Sequence, residues 1–154
     1  EDPDQEKNIK KRKSLYFTFV KGKKRFAINL DQLVEVVNKK SVTKLPIKQE
    51  KFAGLVSLRG EIIPILNSPY EIENKPNKDV AQINSKDLKS IIVMNIEENM
   101  IGLIADATEE VIELGPKEVY ELETLSQDNE KNYVFYKLED EEIFFLDIER
   151  ASAA

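Results

Sequence analysis

Carboxylates are the side chains of this 154-residue chain that could most readily do chemistry, since it has 29 Asp and Glu residues but no histidine and no cysteine. Without those two residue types there is no Ser-His or Cys-His couple, no imidazole or thiolate metal ligand, no disulfide and no phospho-accepting histidine. Two carboxylates could still act together as general acid and base. A carboxylate-based hydrolase is therefore the enzymatic alternative that the composition leaves open.

The acidic residues are concentrated in short turns such as "EENM", "EDEE" and "TEE". Calcium loops need a defined ligand spacing and a sharp glycine turn, which these stretches lack. "GKK" at 22–24 lacks the spacing of a phosphate-binding loop and lies between two strand-like runs. We predict no catalytic residue, no metal and no cofactor, and we interpret Asp106 in "LIADAT" as a structural residue at a strand end.

The charge balance disfavours two classes of partner. With a net charge of -6, broad electrostatic binding to nucleic acid or to an anionic membrane is not expected. No apolar run approaches the roughly 20 residues that span a bilayer, and residues 1–13 lack the apolar region of a signal peptide. We expect a cytoplasmic protein without direct membrane insertion, in which residues 1–13 form a flexible leader.

Strand-like runs separated by polar turns make up most of the remaining chain, which is typical of an all-β fold. Hairpins are predicted where apolar runs flank "KGKK", "RG", "EEN" and "EDE". Residues 67–89 are predicted to connect two halves of the chain, with a new strand from Ser90. The polar interval "GPKEVYELETLSQDNEKN" is a second connection, with room for a short turn or helix.

The two halves of the chain align with each other. "FAINLDQLVEVV" at 26–37 lies over "IGLIADATEEVI" at 101–112, and "LRGEIIPILN" at 58–67 lies over "LEDEEIFFLD" at 138–147. Amphipathic hairpins can align this well by chance, so duplication of a small all-β unit is the favoured interpretation and not the only one. Two such units are expected to form two packed barrels with a groove between them.

The stretch "GLVSLRGEIIPIL" at 54–66 contains the best candidate for a binding residue. Gly60 can take the positive φ of a tight turn, and Arg59 then projects from the hairpin tip. Pro64 has no backbone donor, so the returning strand is predicted to be an edge strand or to pair on one side only near that position. Arg59 serves either solubility or partner binding, and Glu139 at the matching position shows that the turn itself does not require arginine.

Several segments, in this order and spacing, resemble the CheW family, the coupling proteins of bacterial chemotaxis. They are "LYFTFVKGKKRFAINLDQLVEVV", "VTKLP", "FAGLVSLRGEIIPIL", "IGLIADATEEVIEL" and "LEDEEIFFLDIER", and together they extend over about residues 14–150. The most specific of them is similar to the family pattern G-V-x-N-L-R-G-x-I-I-P-V-x-D-L. Ser57 stands where asparagine is usual, and "NS" at 67–68 replaces Asp-Leu, which leaves room for a diverged paralogue.

The resemblance implies a fold of two intertwined SH3-like five-stranded β-barrels with short helical or turn connections, and no catalytic activity. We place the first barrel at approximately 14–66 and the second at approximately 90–142, with an alternative in which the C-terminal segment packs back on the first. Residues 151–154 are expected to form a tail. The implied partners are the cytoplasmic tip of a chemoreceptor and the regulatory domain of the histidine kinase CheA, which places the protein at membrane-associated receptor arrays.

Carried over by motif, the receptor-binding residues are Arg59, Leu33, Val36, Gly102, Thr108 and Val111. Thr108 is the weaker transfer, because an aliphatic residue is common at that position in the family. Each residue also has a purely structural interpretation: the aliphatic ones can fill a barrel core, and the glycine can relieve crowding in a strand. Because the chain begins without methionine and ends in "ASAA", a CheW-like regulatory domain of a kinase or of another multidomain signalling protein stays open.

Overall fold

The computed structural model describes residues 14–45, 50–70, 88–127 and 130–152, and these form two β-sheets with a few short helices. The predicted leader over 1–13 lies outside the described residues, as does most of the predicted connection over 67–89. In chain order, the strands are β1 (Leu15–Lys21), β2 (Lys24–Asn29), β3 (Leu33–Ser41), β4 (Thr43–Lys44), β5 (Phe52–Leu58), β6 (Glu61–Leu66), β7 (Leu88–Ile96), β8 (Asn99–Ala105), β9 (Ala107–Glu113), β10 (Tyr133–Leu138) and β11 (Glu141–Leu146). The helices are α1 (Pro116–Gln127) and α2 (Ile148–Ser152), and a 3-10 turn spans Leu30–Gln32.

The four predicted hairpin turns are present, each with positive φ at one or both turn residues. Gly22 and Lys23 have φ of 59° and 68°, and Arg59 and Gly60 have φ of 48° and 80°. Such angles match the turn twist to the twist of the flanking strands. The strand predicted from Ser90 begins two residues earlier, at Leu88, and the first two residues of the predicted tail, Ala151 and Ser152, belong to α2.

Each sheet takes strands from both halves of the chain, so the two units are intertwined, as predicted. Sheet I has the order β10-β11-β2-β1-β9, and sheet II has the order β3-β7-β8-β6-β5-β4. β1 and β2 pair with β9 and β11 from the second half, so the sheets do not follow the predicted boundaries at 14–66 and 90–142. The C-terminal hairpin β10–β11 lies against β2, as in the predicted alternative in which the C-terminal segment packs back on the first barrel. Sheet II also has a sixth strand, the two-residue β4, at its edge.

The strand orders support the internal duplication. Replacing each strand of sheet I by its counterpart in the repeat gives β5-β6-β8-β7-β3, which is the order of sheet II without β4. Each sheet has one parallel contact. It joins β11 to β2 in sheet I and the counterpart strands, β6 and β8, in sheet II. Each sheet therefore combines the first two strands of one repeat with the remaining strands of the other.

Two possibilities were predicted for β6: an edge strand, which is wrong, and pairing on one side only near Pro64, which agrees with the structure. Pro64 pairs with Leu55 of β5, but β6 lies inside sheet II and not at its edge. Its pairing with β8 is confined to Ile65 opposite Gly102. A missing donor at Pro64 is accommodated because the ladder on that side is so short.

Three apolar clusters hold the sheets. The sheet I core includes Ala27, Leu122, Val134, Ile143 and Phe145, so α1 closes this barrel through Leu122. The sheet II core includes Val42, Val56, Ile63, Ile65, Ile91 and Val93. The central cluster joins both sheets, and it consists of Phe17, Phe19, Phe26, Ile28, Leu66, Ile92, Met94, Ile96, Ile101, Leu103, Ala105, Tyr133, Leu146 and Ile148. Because the burial of apolar area dominates folding free energy, this shared cluster makes the two sheets one cooperative structure.

Candidate functional site

Arg59 lies at the tip of the β5–β6 hairpin and contacts the carboxylate of Glu35 on edge strand β3. The Arg59 side chain is 65% exposed and that of Glu35 is 29% exposed. A hydrogen bond to Glu35 and the negative charge of that carboxylate raise the pKa of Arg59 above its usual value, and Glu61 adds to the effect. The ion pair therefore ties the hairpin tip to β3 and leaves most of the arginine open to solvent.

Leu33 and Val36 lie on β3 opposite Met94 and Ile92 of β7. Residues directly opposite each other in a ladder share a face of the sheet, so both side chains face the central cluster, against which they are partly buried. Core filling thus describes their inward packing, and partner contact stays a prediction. Each packs inward and keeps some exposed surface at the sheet edge.

Thr108 and Val111 lie on β9, an edge strand of sheet I. They are opposite Phe19 and Phe17 of β1, which belong to the central cluster, and Val111 is 47% exposed. Thr108 is exposed as well. The side chains of Thr108 and Val111 are thus more exposed to solvent, and more accessible to a partner, than those of Leu33 and Val36.

The structure brings these residues to two equivalent places. β3 and β9 are counterparts in the repeat, and Val36 matches Val111. Arg59 reaches β3 from the other side, because Glu35 is opposite Val93 of the sheet II core. The candidate surface therefore consists of the two edges β3 and β9, with Arg59 at the edge of β3 only.

Gly102 is buried inside sheet II, so the structure assigns it a packing role and not direct contact with a partner. A Cβ there would lie 2.7 Å from Cδ1 of Ile65 and 2.9 Å from Cγ2 of Ile91. The absence of a side chain is what allows β6 and β8 to approach each other. Gly54, which the sequence analysis did not single out, is more constrained, because its Cβ would overlap the backbone oxygen of Thr43.

Alanine at these two glycines should therefore have unequal effects on stability. We expect Gly102→Ala to destabilise the protein by about 1–3 kcal/mol, since the terminal Cδ1 of Ile65 can shift and Cγ2 of Ile91 is still a side-chain atom. Gly54→Ala should cost more, because the backbone of β4 has to move. Urea unfolding of the two variants measures the difference, and equal midpoints would contradict the packing role described for Gly102 and Gly54.

Asp106 has the structural role predicted for it. Its Oδ2 accepts a hydrogen bond of 2.8 Å from the backbone N–H of Gly22, and its own N–H donates to the Val20 oxygen at 2.8 Å. Asp106 thereby fastens the start of β9 to the β1–β2 turn. Its carboxylate is already engaged in the fold and has no partner geometry for acid-base chemistry.

Two functional-site features were not found from the sequence. One is Glu35 as the partner of Arg59, and the other is a charged cluster around Arg25 on β2. The alignment of Glu35 with Glu110 was the only signal, and it pointed to a repeated carboxylate without indicating which cation each would meet. Those cations come from residues 24 and 85 positions away in the chain.

The geometry of the carboxylates gives no support to the hydrolase alternative. In the described part of the chain, the buried polar residues are Ser14, Thr18, Asn67 and Ser68, and none is acidic. A hydrogen bond to Glu97 raises the pKa of Glu149, but both carboxyl groups are exposed to solvent. Across the same residues, no group of three or more acidic side chains is arranged to hold a metal ion.

Among the described residues, no helix combines the length and the apolar composition that crossing a bilayer requires.

Comparison with known proteins identifies a consistent set of relatives. A family model described as "CheW-like domain" matches residues 15–153. A protein named "Chemotaxis protein CheW" from Treponema pallidum is 28% identical over 104 residues, which are 66% of this chain and 59% of that protein. The match thus spans less than two thirds of that relative's length. A protein of the same name from Thermotoga maritima is 23% identical over 124 residues, 80% of this chain and 78% of that one.

A solved structure has the same fold. The "scaffolding protein TtCheW from Thermoanaerobacter tengcongensis" superimposes with a TM-score of 0.64, covering 92% of this chain and 93% of that one. The two sequences are 23% identical. At that identity the likeness establishes the architecture of two intertwined barrels.

Proposed function

The chain belongs to the CheW family, whose members are non-enzymatic scaffold proteins of chemotaxis, and from that premise we propose that it is an adaptor without catalytic activity. It links the cytoplasmic tip of a chemoreceptor to the regulatory domain of the histidine kinase CheA. It does so in the cytoplasm, at receptor arrays. Holding the kinase beside the receptor lets receptor movements bias the kinase conformation.

The observation that carries the proposal is the exposed Arg59 held at the edge of β3 by Glu35. Glu35 holds the guanidinium of Arg59 while most of the side chain stays exposed, and arginine is common in protein interfaces because it combines planar hydrogen bonding with packing of its aliphatic stem. The repeat copy of this turn has Glu139 in its place, so Arg59 is not needed to form the turn. This asymmetry favours a role in recognition.

The proposed receptor contacts lie at two strand edges. At β3, Leu33 and Val36 lie on one face and Arg59 reaches the edge from the other, and at β9 the contacts are Thr108 and Val111. Apolar side chains of a helical hairpin can cover the partly exposed aliphatic groups at these two edges. Gly102 supports this surface from inside sheet II by allowing close packing of β6 and β8. The kinase regulatory domain binds elsewhere, through a contact between one barrel of each protein, and both contacts are of modest area and reversible.

The test is a binding assay against separately purified receptor-tip fragment and kinase regulatory domain. An adaptor is expected to bind each of them and to hold both at once, which size-exclusion chromatography with light scattering detects as a ternary complex. It should also hydrolyse no nucleotide in the absence of kinase. Binding to neither fragment, or mutually exclusive binding, would overturn the proposal.

A further inference from the structure

Arg25 on β2 is the centre of a charged cluster that the proposed function does not use. Its Nε lies 2.9 Å from Oε1 of Glu109, its second terminal nitrogen lies 3.5 Å from Oε1 of Glu110, and its first terminal nitrogen contacts Glu141. The Arg25 side chain is only 16% exposed, whereas the three carboxylates are between 38% and 74% exposed. A single guanidinium therefore sits beneath three acidic groups from two different strands.

The cluster occupies the place in sheet I that the Arg59–Glu35 ion pair occupies in sheet II. Glu110 on β9 is the repeat counterpart of Glu35 on β3, and Glu141 follows the turn that contains Glu139, the counterpart of Arg59. Both ion pairs join an edge strand to the outer hairpin of the same sheet. In sheet II the cation comes from the hairpin tip, and in sheet I it comes from the strand between the two, β2.

We propose that Arg25 is a positioning residue, which holds edge strand β9 and hairpin β10–β11 together and so fixes the orientation of Thr108 and Val111. The consequence for partner binding rests on the proposed function. The link between β9 and the β10–β11 hairpin rests only on the contacts of Arg25. Glu109 and Glu110 lie between Thr108 and Val111 in the chain, at the register shift of the β1–β9 ladder, so contacts that hold the two carboxylates also constrain the backbone that carries the exposed residues. The planar fork of arginine suits this task, because it can contact several carboxylates at once in a fixed geometry.

The charges around Arg25 explain why β9 depends on it. Without the cation, Glu109 and Glu110 on β9 would face Glu141 on β11 with like charge and only partial exposure to screening solvent. β9 is paired on one side only within the described residues, and most of its side chains are exposed, so it has little packing to resist that repulsion. We expect the strand to loosen locally while the rest of the fold stays intact.

Hydrogen exchange measured on the full chain, with no partner present, tests whether Arg25 holds β9 in place. In Arg25→Met, which keeps the length and apolar stem of the side chain, amide hydrogens of β9 should exchange about tenfold faster than in the unsubstituted protein. Those of β7 and β8 should exchange at unchanged rates. Lys137→Met, at an exposed position of β10 in the same sheet, removes an equal charge and should change neither set.

Neutralising Glu109 and Glu110 separates the effect of charge repulsion on β9 from the effect of lost packing by the Arg25 side chain. Adding Glu109→Gln and Glu110→Gln to Arg25→Met should return β9 exchange towards its original rate, because the repulsion is removed while the guanidinium stays absent. Arg25→Lys should give an intermediate rate, since lysine keeps the charge but not the fork. Unchanged β9 exchange in Arg25→Met, or no recovery on neutralisation, would overturn the proposal.

Binding of the receptor-tip fragment provides the functional readout. Arg25→Met is expected to bind that fragment several-fold more weakly, and the neutralised triple variant should recover. If the unsubstituted protein bound no receptor fragment, the proposed function would fail, but the exchange rates of β9 would still decide the role of Arg25. The two failures are therefore distinguishable.

Discussion

Arg59→Glu is expected to lower the affinity for a receptor-tip fragment at least about tenfold, because an arginine anchor in an interface is replaced by a side chain of opposite charge. The loss should be seen by calorimetry or by pull-down with the fragment. Binding to the kinase regulatory domain should persist, since we propose that this contact lies on another face. Unchanged affinity for the receptor fragment would remove Arg59 from the binding surface.

The variant is expected to fold, for a reason visible in the chain itself. At the counterpart turn Glu139 has a φ of 57°, close to the φ of 48° at Arg59, so glutamate is compatible with this backbone. Arg59 is 65% exposed in its ion pair with Glu35, and ion pairs with a largely exposed partner contribute little to stability. Circular dichroism and the urea midpoint verify that the variant is folded before its binding is compared.

Exchanging the charges of Arg59 and Glu35 distinguishes direct contact of Arg59 with the receptor from a role in positioning the hairpin. In the double variant Arg59→Glu with Glu35→Arg the ion pair is restored in reverse, so the hairpin tip stays tied to β3. If Arg59 itself contacts the receptor, binding stays weak in this variant. Full recovery would instead show that the ion pair matters only for the position of the hairpin. Lys44→Glu, an exposed charge reversal on β4, serves as the control and should bind normally.

Phe26→Ala is expected to have the largest effect on stability, about 3–5 kcal/mol. Phe26 is 2% exposed, and its ring lies 5.6 Å from that of Phe19, 5.7 Å from that of Phe144 and 5.9 Å from that of Tyr70. Truncation removes apolar area and leaves a cavity between the sheets. Because total stabilities of small domains are about 5–15 kcal/mol, this single change should shift the urea midpoint strongly.

Phe135→Ala is the matched control, since it removes the same ring from the same sheet. Phe135 is 46% exposed and has a ring contact with Phe144 at 5.2 Å, so its loss should cost about 1 kcal/mol. Both sheets should unfold together in Phe26→Ala, because the central cluster belongs to both. Equal costs for the two substitutions, or separate unfolding of the sheets, would contradict the role given to the central cluster.

Local patterns were sufficient to predict the hairpins and the repeat. Gly22 and Gly60 lie in turns that need positive φ, and each is flanked by runs of β-forming residues. Such turns depend on a few neighbouring residues, so the sequence specifies them directly. The same holds for the family resemblance, whose most specific motif surrounds the Arg59 turn.

Strand exchange between the repeats could not be predicted in the same way. The alternation of apolar and polar residues in β1 or β9 shows that one face is buried, but it does not indicate which strand lies alongside. Barrels built from consecutive strands and barrels built from exchanged strands satisfy the same patterns, so the intertwined arrangement is expected from the family resemblance alone and not from the patterns. The difference arises from which strands bury the central cluster most completely.

The sequence alone thus determined the all-β class, the turns, the repeat, the family and Arg59 as the residue to test, because each of these depends on residue types at short spacing. Tertiary structure alone decided that Gly102 is buried, that Glu35 holds Arg59 and that Arg25 gathers three carboxylates. Those contacts join residues far apart in the chain, and their identities follow only from how the exchanged strands pack. Long-range pairing is set by the burial of the whole apolar surface, which no local pattern contains.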